Sequence, residues 1–111
     1  MQIVERQVGN VVILDLHGRI PGGEGEKAIR EAVNRLAGSG PANILINFAS
    51  VTYLDSSVVG EVVRTLATVS RTGGKLKLLS LPERVQRLLS MTRLITIFEI
   101  HESEDEAVRS F

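Results

Sequence analysis

The apolar positions of this chain change period several times, and each change marks an element. Val11-Val12-Ile13-Leu14-Asp15-Leu16 is short and rich in branched residues, which predicts a strand over residues 11–18. Gly9-Asn10 ahead of it is a turn signal and makes residues 2–7 a preceding hairpin strand. Pro21-Gly22-Gly23 breaks the strand. From Glu24 to Ala37 the apolar residues Ala28, Ile29, Ala32, Val33 and Leu36 fall three and four apart, the spacing of one helix face. Gly38-Ser39-Gly40-Pro41 stops that helix. Residues 43–48 are apolar nearly throughout, as in a strand covered on both faces.

A second helix is expected over residues 56–71, with Val59, Val62, Val63, Leu66 and Val69 as its buried stripe and Gly73-Gly74 as its end. Residues 75–79 read as a strand. Pro82 opens a third helix that buries Val85, Leu88 and Leu89, and Ser80 and Glu83 have capping-box spacing there. Residues 95–100 read as a last strand. A short terminal helix follows, again with capping-box spacing at Ser103 and Glu106. Strands alternating with helices imply a sheet with helical crossovers. The 111 residues fit one domain, 1–111, able to bury its own core.

Composition narrows the function classes. Cysteine is absent, which excludes disulfides, thiol catalysis and cysteine metal sites and suits a cytoplasmic location. The N-terminal residues lack the apolar core of a signal peptide, and no apolar run is long enough to span a membrane. Thirteen basic and thirteen acidic side chains cancel, and aromatics make up 4%, so direct nucleic-acid binding is not expected.

Chemistry concentrates in one loop, Val51-Thr52-Tyr53-Leu54-Asp55-Ser56-Ser57-Val58-Val59-Gly60, which joins a buried strand to a helix. Asp55 stands at the N-cap position, and Ser56 and Ser57 occupy the first two helical positions. Asp and Ser are favoured at helix starts for purely structural reasons. The same arrangement tolerates a phosphate on Ser57, because free N–H groups and the positive end of the helix dipole face it. Two rival sites are weaker. Gly23-Glu24-Gly25-Glu26-Lys27-Ala28 has the G-x-G-x-x-A form of a dinucleotide fingerprint, but Glu24 and Glu26 would repel a pyrophosphate. A hydrolytic triad of Ser57, Asp55 and either His17 or His101 lacks the G-x-S-x-G elbow. No His, Asp or Glu cluster has metal-ligand spacing. The expectation is a non-enzymatic binding module with no cofactor.

Leu54-Asp55-Ser56-Ser57, with Gly60 after it and an apolar strand before it, resembles the signature of the STAS domains of bacterial anti-sigma factor antagonists. The order of elements and the segment Gly73-Gly74-Lys75-Leu76-Lys77-Leu78-Leu79 fit as well, so the resemblance covers essentially the whole chain. It implies a mixed β-sheet with helices packed mainly on one face. It also implies that Ser57, the second serine, is phosphorylated by a partner that is both serine kinase and anti-sigma factor. Asp55, Ser56, Ser57 and Val58 would form the partner-binding loop, and a PP2C-type phosphatase would reset the switch. One residue departs from the pattern: Val58 stands where the motif usually has glycine, adding apolar bulk beside the acceptor. The alternatives are a STAS scaffold subunit that does not cycle and a small enzyme or nucleotide-binding domain.

Overall fold

The computed structural model of the chain describes residues 1–111. Ten elements alternate as the periodicity implies. Strand β1 (Gln2–Val8) turns at Gly9 into β2 (Val11–Ile20); α1 (Glu24–Ala37), β3 (Asn43–Leu54), α2 (Ser56–Arg71) and β4 (Lys75–Leu79) follow. Then come α3 (Glu83–Met91), a 3-10 turn at Leu94–Ile97, the two-residue strand β5 (Ile100–His101) and α4 (Glu104–Arg109). The strands form one sheet in the order β1-β2-β3-β4-β5, with β1 antiparallel and every other neighbour parallel.

Alternation along the strands sorts the core into two layers. Leu14, Leu16, Ile44, Ile46, Phe48, Leu76 and Leu78 face α1, α2 and α3 in a cluster of 19 buried residues. Val11, Ile13, Leu45 and Leu79 face the other way and meet Ala107 of α4 in a cluster of five. The sheet is therefore mixed, with helices mainly on one face, as expected.

Four sequence expectations need correction. The strand expected at 43–48 continues to Leu54, past a register shift opposite Asp15 and His17, because its later pairings with β2 reach Ile20. The polar residues Ser50 and Thr52 disguise this half. The strand expected at 95–100 begins instead as a 3-10 turn (Leu94–Ile97) entered through Arg93 in the left-handed region (φ 62°), and only Ile100 and His101 pair with β4. Ser80 does not cap α3: the N-cap is Pro82, no side chain caps it, and Ser80 itself has φ 54°. The buried stripe of α2 is rotated from the expected one. Val58, Val62, Thr65 and Val69 are its spine, while Val63 and Leu66 are half-buried flanks. Thr65 is buried at no polar cost, because its hydroxyl donates to Val62 O at 2.7 Å.

The end of the chain is locked onto the open face of β4. Lys77 is 7% exposed, yet its ammonium donates to Ser110 O at 2.7 Å and Ser110 Oγ at 2.9 Å, pairs with Glu99 at 2.8 Å and lies over the Phe111 ring. These hydrogen bonds make burial of the charge tolerable. The Lys77 and His101 side chains hold the Glu99 carboxyl down at about 2.

The packing of α2 and the Lys77–Glu99 pair can each be tested by substitution. Val62→Asp, which places a carboxylate at a position 4% exposed, should cost several kcal/mol, comparable to the whole stability of a domain. Its cooperative thermal transition should vanish, whereas Leu66→Asp on the half-buried flank should still melt cooperatively. In acid, Glu99 sets the sign. Its folded pKa is about 2 against an ordinary 4.5, so its contribution is complete above 4.5 and disappears as pH falls towards 2. Urea midpoints should therefore fall over that window, and Glu99→Gln should lower the midpoint at pH 6 while closing the gap to wild type at pH 2.

Candidate functional site

The loops after β2 and β3 meet at one end of the sheet, and the backbone joins them. Asp55 N–H donates to Ile20 O at 3.1 Å, the last rung between the two strands. Asp55 is extended (φ −68°, ψ 141°), and its side chain turns back over the first turn of α2. Oδ1 accepts from Ser57 N–H at 3.0 Å and from Ser57 Oγ at 2.9 Å. Asp55 is thus the N-cap, as its type and position imply. The Ser57 hydroxyl is exposed, as is Ser56, so both are open to a docking macromolecule.

The other side of Ser57 is built by α1. Gly22 lies against it: a Cβ on Gly22 would fall 2.7 Å from Ser57 Oγ. Gly23 has φ 73°, a conformation suited to glycine, and its N–H donates to Glu26 Oε1 at 3.3 Å. Glu26 thereby caps its own helix and stands beside the serine. The Ser57 hydroxyl, the Gly23 N–H and the charges of Arg64 and Arg30 hold the Glu26 carboxyl below its ordinary value. Asp55 is lowered too, first by the Ser57 N–H and hydroxyl, then by Gly22 N–H and the charge of Arg84. Two ionised carboxylates therefore flank one serine hydroxyl, which can turn its single proton to either; its 2.9 Å contact is with Asp55 Oδ1.

Val58 is placed differently from the other loop residues. It is 0% exposed and points into the helix-face core. A Cβ on Gly25 would stand 2.7 Å from Ile20 Cγ2 and 3.4 Å from Val58 Cγ2, so the missing side chain of Gly25 leaves room for Ile20, with Val58 packed alongside. Its bulk does not reach the surface beside Ser57. Asp55, Ser56 and Ser57 remain together on the loop, with Val58 beneath them.

Neither histidine joins this site. His101 bonds Glu99 at 2.7 Å and Ser110 at 3.3 Å on β5 and α4, and His17 pairs with Gln2 and Ser50 within the sheet. The glycine-rich run 23–28 is occupied by the α1 cap and by the close packing of Gly25 against Ile20.

Several neighbours are not legible from periodicity. Glu61 is 2% exposed inside α2 and is held by Arg30 at 2.9 Å and Arg64 at 3.3 Å. Its position on a helix marks it as a surface residue until Arg30, on another helix, is brought to it. Tyr53 is 42% exposed between two arginines. Arg19, its cross-strand partner, lies 4.5 Å from the ring centroid, and Arg84 lies 5.9 Å from it. Arg84 also donates to Leu54 O, next to the N-cap. The loop thus presents a serine flanked by two carboxylates, with an arginine–tyrosine stack nearby.

Residues 2–107 match the STAS domain family. The chain is 37% identical over 81 residues to the anti-sigma-B factor antagonist of Bacillus subtilis, covering 73% of each protein. It is 40% identical over 65 residues to an anti-sigma factor antagonist homolog of Thermotoga neapolitana, covering 59% of this chain and 58% of that relative, less than two-thirds of its length. The crystal structure of a Thermotoga maritima protein assigned as an anti-sigma factor antagonist superposes with a TM-score of 0.81 at 28% identity, over 97% of this chain and 92% of the other. The Bacillus cell fate determinant SpoIIAA, solved in its phosphorylated form, shares the fold with a TM-score of 0.79 at 20% identity, covering 98% of each chain. Architecture, loop motif and relatives agree, and the chain belongs to the STAS domain family, with bacterial anti-sigma factor antagonists among its relatives.

Proposed function

We propose that the chain is a cytoplasmic anti-sigma factor antagonist gated by phosphorylation of Ser57. In the unmodified state the loop Asp55-Ser56-Ser57 docks on an anti-sigma factor that is also a serine kinase, and the sigma factor is released. The kinase then transfers the γ-phosphoryl group of ATP to Ser57 Oγ: the Oγ–P bond forms, the bond from the γ-phosphorus to the bridging β,γ-oxygen breaks to release ADP, and the hydroxyl proton is lost. The modified loop no longer fits the partner. A PP2C-type phosphatase hydrolyses the ester and restores the antagonist.

One observation carries this reading. The Ser57 hydroxyl is exposed, lies in the loop that carries the family motif, and sits at a helix start whose fold does not depend on it. The core beneath that loop is complete without the hydroxyl. A phosphate there would break the 2.9 Å bond to Asp55 and add about −1.5 to −2 charges beside the Asp55 carboxylate. The change therefore falls on the docking face and not on the core. Tyr53 with Arg19 and Arg84 extends that face, and tyrosine and arginine are the residue types that most often anchor interfaces. Val58, the departure from the motif, gives the scaffold alternative no footing, since its side chain is buried.

The test uses a purified serine-kinase anti-sigma factor from the same genome with ATP. Label should appear on Ser57 and not Ser56. Ser57→Ala should abolish labelling yet bind the unphosphorylated partner as wild type does. Ser57→Asp should weaken binding by about tenfold or more, which is ~1.4 kcal/mol, with an unchanged circular dichroism spectrum. Wild-type affinity for both Ser57→Asp and the true phosphoprotein would defeat the switch and favour a scaffold subunit.

A further inference from the structure

Resting on the reading that Ser57 carries the phosphate, we propose that Arg64 is the residue that receives it, exchanging its present carboxylate contacts for the phosphate oxygens. Arg64 lies seven residues beyond Ser57, two turns along α2 on the same face. Helical side chains lean back towards the N-terminus, and this one lies over Gly60. A Cβ on Gly60 would stand 3.6 Å from Arg64 Nη1, so the guanidinium lies over bare backbone about one turn from Ser57. On its far side Arg64 Nη2 is 3.8 Å from Glu26 Oε2, and Glu26 is the α1 cap that stands beside Ser57.

Arg64 is also the arginine that can leave. Glu61 is buried and cannot be left unpaired, but Arg30 holds it at 2.9 Å, closer than the 3.3 Å of Arg64. The Arg64 side chain is 61% exposed and is not packed in place. Arg71, the next arginine of the groove between α1 and α2, is two further turns from Ser57.

The phosphate needs such a partner. It would sit between the carboxylates of Asp55 and Glu26, and both repel it. A guanidinium fork on two phosphate oxygens offsets that repulsion better than a point charge. The exchange would release Arg64 from Glu61 and Glu26, so modification of the loop would also alter the groove between α1 and α2.

Phosphoserine placed at position 57 of the full chain by genetic encoding tests this without any kinase. Phosphorus NMR reads the second ionisation of the phosphate, which a nearby guanidinium lowers. Arg64→Gln should raise that pKa by roughly half a unit or more, and Arg71→Gln should leave it where it is. An unchanged value in Arg64→Gln, or an equal rise in Arg71→Gln, overturns the proposal. Thermal melts of the unmodified variants verify that the fold is intact. Failure of the cognate kinase to label Ser57 would instead defeat the switch reading, and the two failures are read in separate experiments.

Discussion

The hydrogen bond from Asp55 N–H to Ile20 O, 3.1 Å long, is the constraint on which the functional end of the molecule depends. It closes the parallel ladder between β2 and β3 and fixes two loops against each other. Once it forms, Gly22 and Gly23 must pass beside Ser57, and α1 and α2 must start side by side. The interior residues that enforce it are Ile20 and Leu54, both buried at the strand ends and paired in register. Site geometry is thus set by the central strand of the sheet, and the loop residues themselves need little rigidity of their own.

Much of this is legible in the sequence where local signals and tertiary packing agree. Helices α1 and α2 have the expected limits, because glycine and proline punctuate both ends and Asp55 caps the second. The phase of α2 is harder to read. Valines at 58, 59, 62 and 63 surround half the helix, so periodicity alone leaves the stripe free to rotate. Burial of Thr65 and Glu61 decides the phase, and each depends on a hydrogen bond that hydropathy does not register. The last strand is misread for a related reason. Ile95 and Ile97 are β-formers by type, but after the left-handed residue Arg93 they coil into a 3-10 turn beside α3. Tertiary contact overrides strand propensity there.

The site is legible in its centre and not at its margins. Asp55, Ser56 and Ser57 are adjacent in sequence, and the chemistry of a helix start predicts how they bond. Glu26, Arg64 and Arg84 come from three helices, and no spacing rule joins them before the fold does. Val58 shows the limit of reading a motif position by position. Sequence alone puts its bulk beside Ser57, yet the fold turns the side chain into the core, next to Gly25, whose missing side chain makes room for Ile20. The glycine that looks like part of a phosphate-binding fingerprint is a packing residue.

With Gly25 committed to packing, the two converging helix starts offer little to a free anion. Unmodified, each start is already matched by a carboxylate: Glu26 on Gly23 N–H for α1 and Asp55 on Ser57 N–H for α2. The positive ends of both dipoles are therefore compensated, and a diffusing anion gains little by entering. A covalently attached phosphate is a different case, because its effective concentration at the site needs no affinity to maintain it. It forces a new charge into a balanced pair of caps, and only side chains that can move will restore the balance. The Glu26–Arg64 contact at 3.8 Å is longer than a hydrogen bond and exposed to solvent, whereas the Arg30–Glu61 pair beneath it is short and half-buried. The outer pair yields first. A charge placed on Ser57 is then felt along α2 and across to α1, while the sheet that holds both helices stays as it is.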